Sequence, residues 1–223
     1  MALQSNRSFF MRIALIGATG FVGTPTLTEL LQRGHQVTVL ARHPEKLPAQ
    51  PNLTVVKADA LVADQVAAAV RGHDAVLSAY NPGWGNPDIH DEFLRGYDAQ
   101  VAGVKQSGVK RFVMVGGAGS LFVAPGVQLV DTPGFPAEIK AAASAAREAL
   151  NRLRGEDSLE WTFLSPPILL QPGERSGNYR LGSEQPLMDG DQPGHISVAD
   201  LAVALVDELE NPRHVRARFT VAS

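Results

Sequence analysis

Between Met11 and Gly23 the chain reads Met-Arg-Ile-Ala-Leu-Ile-Gly-Ala-Thr-Gly-Phe-Val-Gly, and this stretch constrains the fold more than any other. A short apolar segment, Ile13 to Ile16, runs straight into Gly17, Gly20 and Gly23. A segment with Leu27, Leu30 and Leu31 on one helical face follows. The pattern predicts a strand, a tight turn and a helix opening, the setting in which glycines cradle a dinucleotide pyrophosphate. Each glycine has its own job there. Gly17 allows the turn, Gly20 lets the backbone approach the phosphates, and Gly23 lets the helix pack close to the strand. The free N–H groups at the helix start then face an anion. A glycine-rich turn without a ligand is the plainer alternative, and the strand–turn–helix context argues against it.

Alternating strand-like and helix-like segments continue along most of the chain. Strand candidates are Gln36–Leu40, Leu53–Lys57, Asp74–Ser78, Arg111–Val115, Trp161–Leu164 and Arg218–Val221, all short and rich in β-branched or large apolar residues, as central parallel strands tend to be. Helix candidates lie between them: Phe21–Arg33, Asp64–Arg71, Asp91–Ser107, Ala137–Arg154 and Ala199–Leu209. In the third, Phe93, Leu94, Tyr97, Val101 and Val104 recur at helical spacing. Ser197 and Asp200 form a capping-box pattern for the last helix. Pro25 falls at the edge of where a helix tolerates a missing N–H, and a slight tilt of the first helix is expected. The alternation implies right-handed crossovers and an α/β fold with a doubly wound parallel sheet and helices on both faces. Two long stretches, Gly116–Pro136 and Pro166–His195, read as irregular. Both follow candidate strands, so they are expected at the carboxyl edge of the sheet, where ligands bind in such folds.

Composition excludes several rivals. The 223 residues suffice for one large core and would be cramped as two domains. A formal net charge of −3 gives no sign of electrostatic capture of nucleic acid or an anionic membrane. The chain has no cysteine, which removes disulfides, thiolate nucleophiles and cysteine metal sites. No apolar run approaches the roughly 20 residues of a membrane helix. Residues 1–10 lack the apolar stretch of a signal peptide and read as a flexible extension, with Met11 a second candidate start and the cytoplasm the expected compartment. A small-molecule partner, in a monomer or a homodimer, is the expectation.

The second strand bears on the cofactor. Chains that use NAD usually place an Asp or Glu about 20 residues past the glycine turn, where it bonds the ribose 2′-hydroxyl. Here the strand ends Val39-Leu40-Ala41-Arg42-His43, without a carboxylate. Arg42 is placed to meet a 2′-phosphate, which its forked guanidinium suits, so NADP is favoured over NAD. Asp59, after the third strand, either bonds the adenine or shapes its own turn.

Together, Gly17-Ala-Thr-Gly-Phe-Val-Gly23, Arg42 and Ser78-Ala79-Tyr80 resemble the atypical branch of the short-chain dehydrogenase/reductase superfamily. Narrower likenesses follow in Val115-Gly-Gly-Ala-Gly-Ser-Leu121, Leu129-Val-Asp-Thr-Pro133, Phe135-Pro-Ala-Glu138 and Trp161-Thr-Phe-Leu-Ser-Pro166. Pro172-Gly-Glu-Arg175, Tyr179-Arg-Leu-Gly182 and Ile196-Ser-Val-Ala-Asp200 complete the set. In order and spacing these are similar to the NADH-flavin reductases and NmrA-like NAD(P)H-binding proteins of that branch. The resemblance implies a Rossmann-type domain over 11–223, with 166–195 as a small carboxyl-terminal substrate-side region. It further implies cofactor contacts from Gly17, Thr19, Gly20, Phe21, Val22, Gly23, Arg42, Asp59, Ala60, Ser78, Ala79, Tyr80, Gly116, Lys140 and Pro166.

One departure from the superfamily pattern matters for the chemistry. Catalysis there usually needs a Tyr four residues before a Lys, which lowers the tyrosine pKa for proton exchange with a carbonyl or alcohol. Lys140 is present, but Pro136 stands where the tyrosine would be, and Tyr80, Tyr97 and Tyr179 all lie far from it in sequence. Lys140 is therefore read as holding the nicotinamide ribose. Ser120, at the end of Gly116-Gly-Ala-Gly-Ser120, is a candidate to bond a carbonyl of an acceptor ring, for which the glycines leave room. Flavin reduction fits the missing tyrosine, because hydride passes directly to the ring and solvent supplies the proton. A non-catalytic redox sensor that reads the nicotinamide pool is the alternative, with a sugar-nucleotide epimerase a distant third. None of the six histidines pairs with another at ligand spacing, which argues against a metal site. Only His195 falls in a loop expected near the pocket, as an outside candidate for proton donor.

Overall fold

Four consecutive buried residues, Ile13 to Ile16, show that β1 (Arg12–Ile16) is covered on both faces. Side chains alternate along a strand. Ile13 and Leu15 therefore enter one core layer, and Ala14 and Ile16 the other. The computed structural model describes residues 10–223, so the extension expected for residues 1–10 lies outside the described residues except for Phe10.

The elements follow in the order β1, α1 (Gly23–Gln32), β2 (Gln36–Ala41), β3 (Leu53–Lys57), α2 (Ala63–Val70), β4 (Ala75–Ser78), α3 (Ile89–Ser107) and β5 (Arg111–Val115). A hairpin of β6 (Phe122–Ala124) and β7 (Val127–Gln128) precedes α4 (Ala137–Arg154) and β8 (Glu160–Ser165). Short strands β9 (Leu169–Gln171), β10 (Arg180–Gly182), β11 (Met188–Asp189), β12 (Gln192–Pro193) and β13 (His195–Ser197) lead to α5 (Val198–Glu210) and β14 (Ala217–Ala222).

Eight strands form one sheet in the order β3-β2-β1-β4-β5-β8-β14-β10. The first seven run parallel, and β10 joins β14 antiparallel. Helices α1 and α5 cover one face through Leu27, Leu30, Leu201 and Leu205. On the other face α2, α3 and α4 bury Val66, Phe93, Val104 and Leu150. The fold is thus a Rossmann-type doubly wound sheet.

Three expectations need correction. The first helix opens at Gly23 rather than Phe21. Pro25 therefore sits in its first turn, where an N–H has no intrahelical acceptor to lose. The two stretches read as irregular hold secondary structure: the β6–β7 hairpin lies in one, and the other contributes the antiparallel edge strand β10. The Ser197 cap forms, with its hydroxyl accepting the Asp200 N–H at 3.0 Å. The Asp200 carboxylate does not return the favour; it accepts from the Ser176 and Gly177 amides and the Ser176 hydroxyl.

Candidate cofactor and acceptor site

Strand order reverses between β1 and β4, because the chain crosses from β1 to β2 on one side and from β3 to β4 on the other. Open α/β sheets bind ligands outside the carboxyl ends of the strands at such a point. The register sets Ile16 beside Ser78 and Ser78 beside Met114. The segments after β1, β4 and β5 therefore leave one edge together.

Gly17 has φ +82, and a Cβ there would lie 2.4 Å from the Ala79 carbonyl oxygen. Side chains rarely adopt that backbone, and none would fit. At Gly23 a Cβ would stand 1.9 Å from the Gly17 carbonyl oxygen, so the absent side chain lets α1 close against the turn. The turn is fixed by the Gly20 N–H donating to Gly17 O and the Thr24 N–H to Gly20 O, both at 3.0 Å. Thr19, Gly20 and Phe21 are exposed, and Val22 is half-buried. Among the described residues the amides of Phe21 and Val22 donate to no protein acceptor. An exposed glycine beside unpaired amides at the start of a ten-residue helix fits a pyrophosphate.

Around this turn stand the other nucleotide candidates. Arg42 is exposed just past β2. Its charge reaches the Tyr80 hydroxyl, which burial pushes up to about 12, with Glu92 adding to the rise and Arg42 opposing it. Asp59 is half-buried; its Oδ1 accepts the Leu61 N–H at 2.9 Å and its N–H donates to Gln65 Oε1 at 2.8 Å, so it shapes the turn that carries Ala60. Ser78 is fully buried, donating to Gln100 Oε1 at 2.6 Å and accepting the Tyr80 N–H at 3.3 Å. Its side chain therefore braces Ala79 and Tyr80 from beneath rather than lining the crevice.

On the acceptor side the structure revises two roles. A Cβ on Gly116 would stand 1.9 Å from the Phe163 ring, and one on Gly119 would stand 2.9 Å from the Ala143 Cβ. These two glycines admit Phe163 and α4, and only Gly117, 3.7 Å from its nearest neighbour, is free of such a demand. Ser120 is 1 % exposed, and its hydroxyl lies against Gly117 O at 3.4 Å and Arg218 Nη1 at 3.3 Å. Enclosed in this way it is not free to bond an acceptor ring. Lys140 lies exposed on the first turn of α4, one turn before the Ala143 that packs on the Ala118–Ser120 segment. Pro166 and Pro167 are buried directly after β8.

The three tyrosines are engaged elsewhere in the fold. Tyr80 lies over Gly96, with its ring 6.3 Å from that of Phe93, Tyr97 is buried in α3, and Tyr179 donates to Asp207. Burial raises the pKa of all three. His195 sits 3.4 Å from Asp189, and its carbonyl accepts the Ser223 N–H. It thus borders β14, three strand spacings or about 14 Å from β4, away from the crevice.

Two charged groups that shape the site have partners far away in sequence. Arg218, with no side-chain exposure, donates to Ser120 Oγ and Ser165 Oγ and forks onto Glu184. Against the upward push of burial, Arg218 holds the Glu184 carboxyl below its ordinary range. An arginine inside the apolar run Arg218–Val221 was the available sequence signal. Glu29 on α1 is buried, and Arg175 grips both its oxygens at 2.7 and 2.9 Å while Arg33 adds a third bond at 2.7 Å. Arg175 and Arg33 keep its pKa low. These bonds strap the segment after β9 onto the helix that opens at the glycine turn.

Known proteins share this architecture. A Bacteroides thetaiotaomicron structure described as a "putative epimerase" is 46 % identical, with a TM-score of 0.89, over 96 % of this chain and 97 % of that one. A Streptococcus pneumoniae structure described as a "putative NADH-flavin reductase" is 34 % identical, with a TM-score of 0.82, over 96 % and 99 %. The uncharacterized protein YwnB of Bacillus subtilis is 39 % identical over 216 residues, 96 % of this chain and 99 % of the relative. The family model described as NAD(P)H-binding matches residues 17–212. The chain belongs to this NAD(P)H-binding family, within the atypical branch of the short-chain dehydrogenase/reductase superfamily.

Proposed function

We propose that the protein passes a hydride from NADPH to a flavin or a similar flat conjugated acceptor. One observation carries this reading: Pro136 stands four residues before Lys140, where the paired tyrosine would be, and Ser120 is enclosed against Arg218. The chain thus lacks the tyrosine–lysine pair that carbonyl, alcohol or epimerase chemistry in this superfamily usually draws on. A conjugated ring needs no such pair, since the bound nicotinamide supplies the hydride and water the remaining proton. The chain's own work is then to bind and orient. The turn from Gly17 to Gly23 holds the pyrophosphate, Arg42 the 2′-phosphate and Lys140 the nicotinamide ribose. Gly117 and Ala118 leave the acceptor edge low. A reaction that draws on NADPH belongs in the cytoplasm, where that cofactor is kept reduced.

The test is NADPH oxidation by the purified protein when riboflavin is added. Turnover above the uncatalysed rate is expected, and Arg42→Ala should weaken NADPH by about 1.5–3 kcal/mol while sparing NADH. Tight NADPH binding without reduction of riboflavin or a simple quinone would overturn the proposal and leave a redox sensor as the better account.

A further inference from the structure

Of the two tryptophans, Trp161 is buried in β8 and Trp84 is 66 % exposed. Trp84 stands between two glycines on the segment that leaves β4, and that segment is tightly built. Asn81 Oδ1 accepts the Gly83 N–H at 2.7 Å, and Gly83 O accepts the Asn86 N–H at 3.0 Å. Asn86 Oδ1 accepts the Asp88 N–H at 2.9 Å, while its amide nitrogen donates to Glu92 at 2.8 Å. A large flat ring is thus held out in water on a braced turn, so little ordering is left to be done when something covers it.

Its position says what covers it. The segment starts at Ala79 and Tyr80, whose backbone closes directly on Gly17. Four residues of chain keep Trp84 within about 14 Å of Tyr80, on the segment that leaves the same sheet edge. Two further exposed apolar side chains occupy neighbouring segments: Phe21 in the glycine turn and Ile139 on the first turn of α4, next to Lys140. An exposed aromatic side chain on a segment that leaves the binding edge is a candidate contact, and an indole face can stack on a conjugated ring.

We infer that Trp84 is the platform on which the flat acceptor stacks, an assignment that rests on the hydride-transfer reading above. It makes Trp84 a specificity-determining residue, one that favours aromatic acceptors by ring area and leaves the nucleotide untouched.

Riboflavin, added with NADP+ so that nothing is reduced, tests it by tryptophan fluorescence. The wild type should show quenching of its exposed tryptophan, with the buried Trp161 component unchanged. Trp84→Ala should remove that quenching and weaken riboflavin about three- to tenfold, with NADPH affinity unaltered. Trp84→Phe should retain most of the affinity. Equal riboflavin affinity in wild type and Trp84→Ala would overturn the assignment. A wild-type dimer that Trp84→Ala dissolves would likewise overturn it, giving the ring to a second copy of the chain. Quenching at Trp84 without any NADPH oxidation would uphold the platform and remove the hydride-transfer reading, so the two failures are told apart.

Discussion

Alanine placed at Gly23 and at Gly20 should separate the packing of the glycine turn from its proposed ligand. At position 23 the new Cβ would stand 1.9 Å from Gly17 O, 2.6 Å from Gly17 C and 2.8 Å from Ala18 Cα. All three are backbone atoms, and ordinary contact begins near 3.4 Å, so α1 must retreat from the turn by about 1.5 Å. Forced backbone shifts of this kind cost about 1–3 kcal/mol. At roughly 2–4 °C per kcal/mol for a chain of this size, Gly23→Ala should melt about 2–12 °C below wild type. At position 20 the Cβ meets only Gly17 O, at 3.3 Å, and the site is exposed. Gly20→Ala should therefore change stability by no more than about 1 kcal/mol in either direction. Its methyl would nonetheless occupy the surface offered to the pyrophosphate, so NADPH affinity should fall at least tenfold, about 1.4 kcal/mol. Differential scanning calorimetry and NADPH fluorescence titration measure the two effects on the same samples. A Gly23→Ala protein that melts with wild type would refute the packing calculation. A Gly20→Ala protein that binds NADPH normally would refute the pyrophosphate assignment.

Three further outcomes are expected. Lys140→Met should weaken cofactor binding and leave the pH profile of turnover unchanged, whereas a lost limb would make Lys140 a proton-transfer group. Glu184→Ala strands the unexposed Arg218 guanidinium and should cost about 3–5 kcal/mol in urea unfolding. Arg218→Met should cost less, since the Glu184 side chain is 44 % exposed and still pairs with Arg154, and the reverse ranking would contradict this electrostatic account. Burial raises the Glu156 pKa, but bonds from Lys105 and Ser158 outweigh it and bring the folded value down to about 2 from an ordinary 4.5. The stabilisation is therefore complete above about pH 4.5 and is lost as the pH falls toward 2. Lys105→Met should be less stable at pH 7 and should lose less across that window; identical acid-unfolding curves would contradict the sign.

Elements long enough to show a period were legible in the sequence. The segments 53–57, 111–115 and 137–154 have the bounds their patterns suggest, because burial on both faces or one face dictates composition over several residues. The substrate-side region was not legible, because β9 to β13 are two or three residues each and their partners are set by distant contacts. Site residues divide along the same line. The glycine turn is a local device and can be read locally. Ser120 is enclosed by Arg218, 98 positions away, and Glu29 tolerates burial because Arg175, 146 positions away, reaches it. Gly116 reads as room for a ligand until Phe163 is seen to need the space.

Although β14 is the last strand in sequence, it is an interior one, with β8 on one side and β10 on the other. While the chain is being synthesised, β1 to β5 can pair and their glycine turn can close before β14 has been made. Until then the open flank of β8 has no neighbour, and β10 has nothing to join. The strands of the half that is proposed to hold the nucleotide can therefore pair first, and the half that faces the acceptor is completed only when residues 217–222 arrive. A nascent chain stalled in that interval would expose the unpaired backbone edge of β8, a ready template for pairing with another chain.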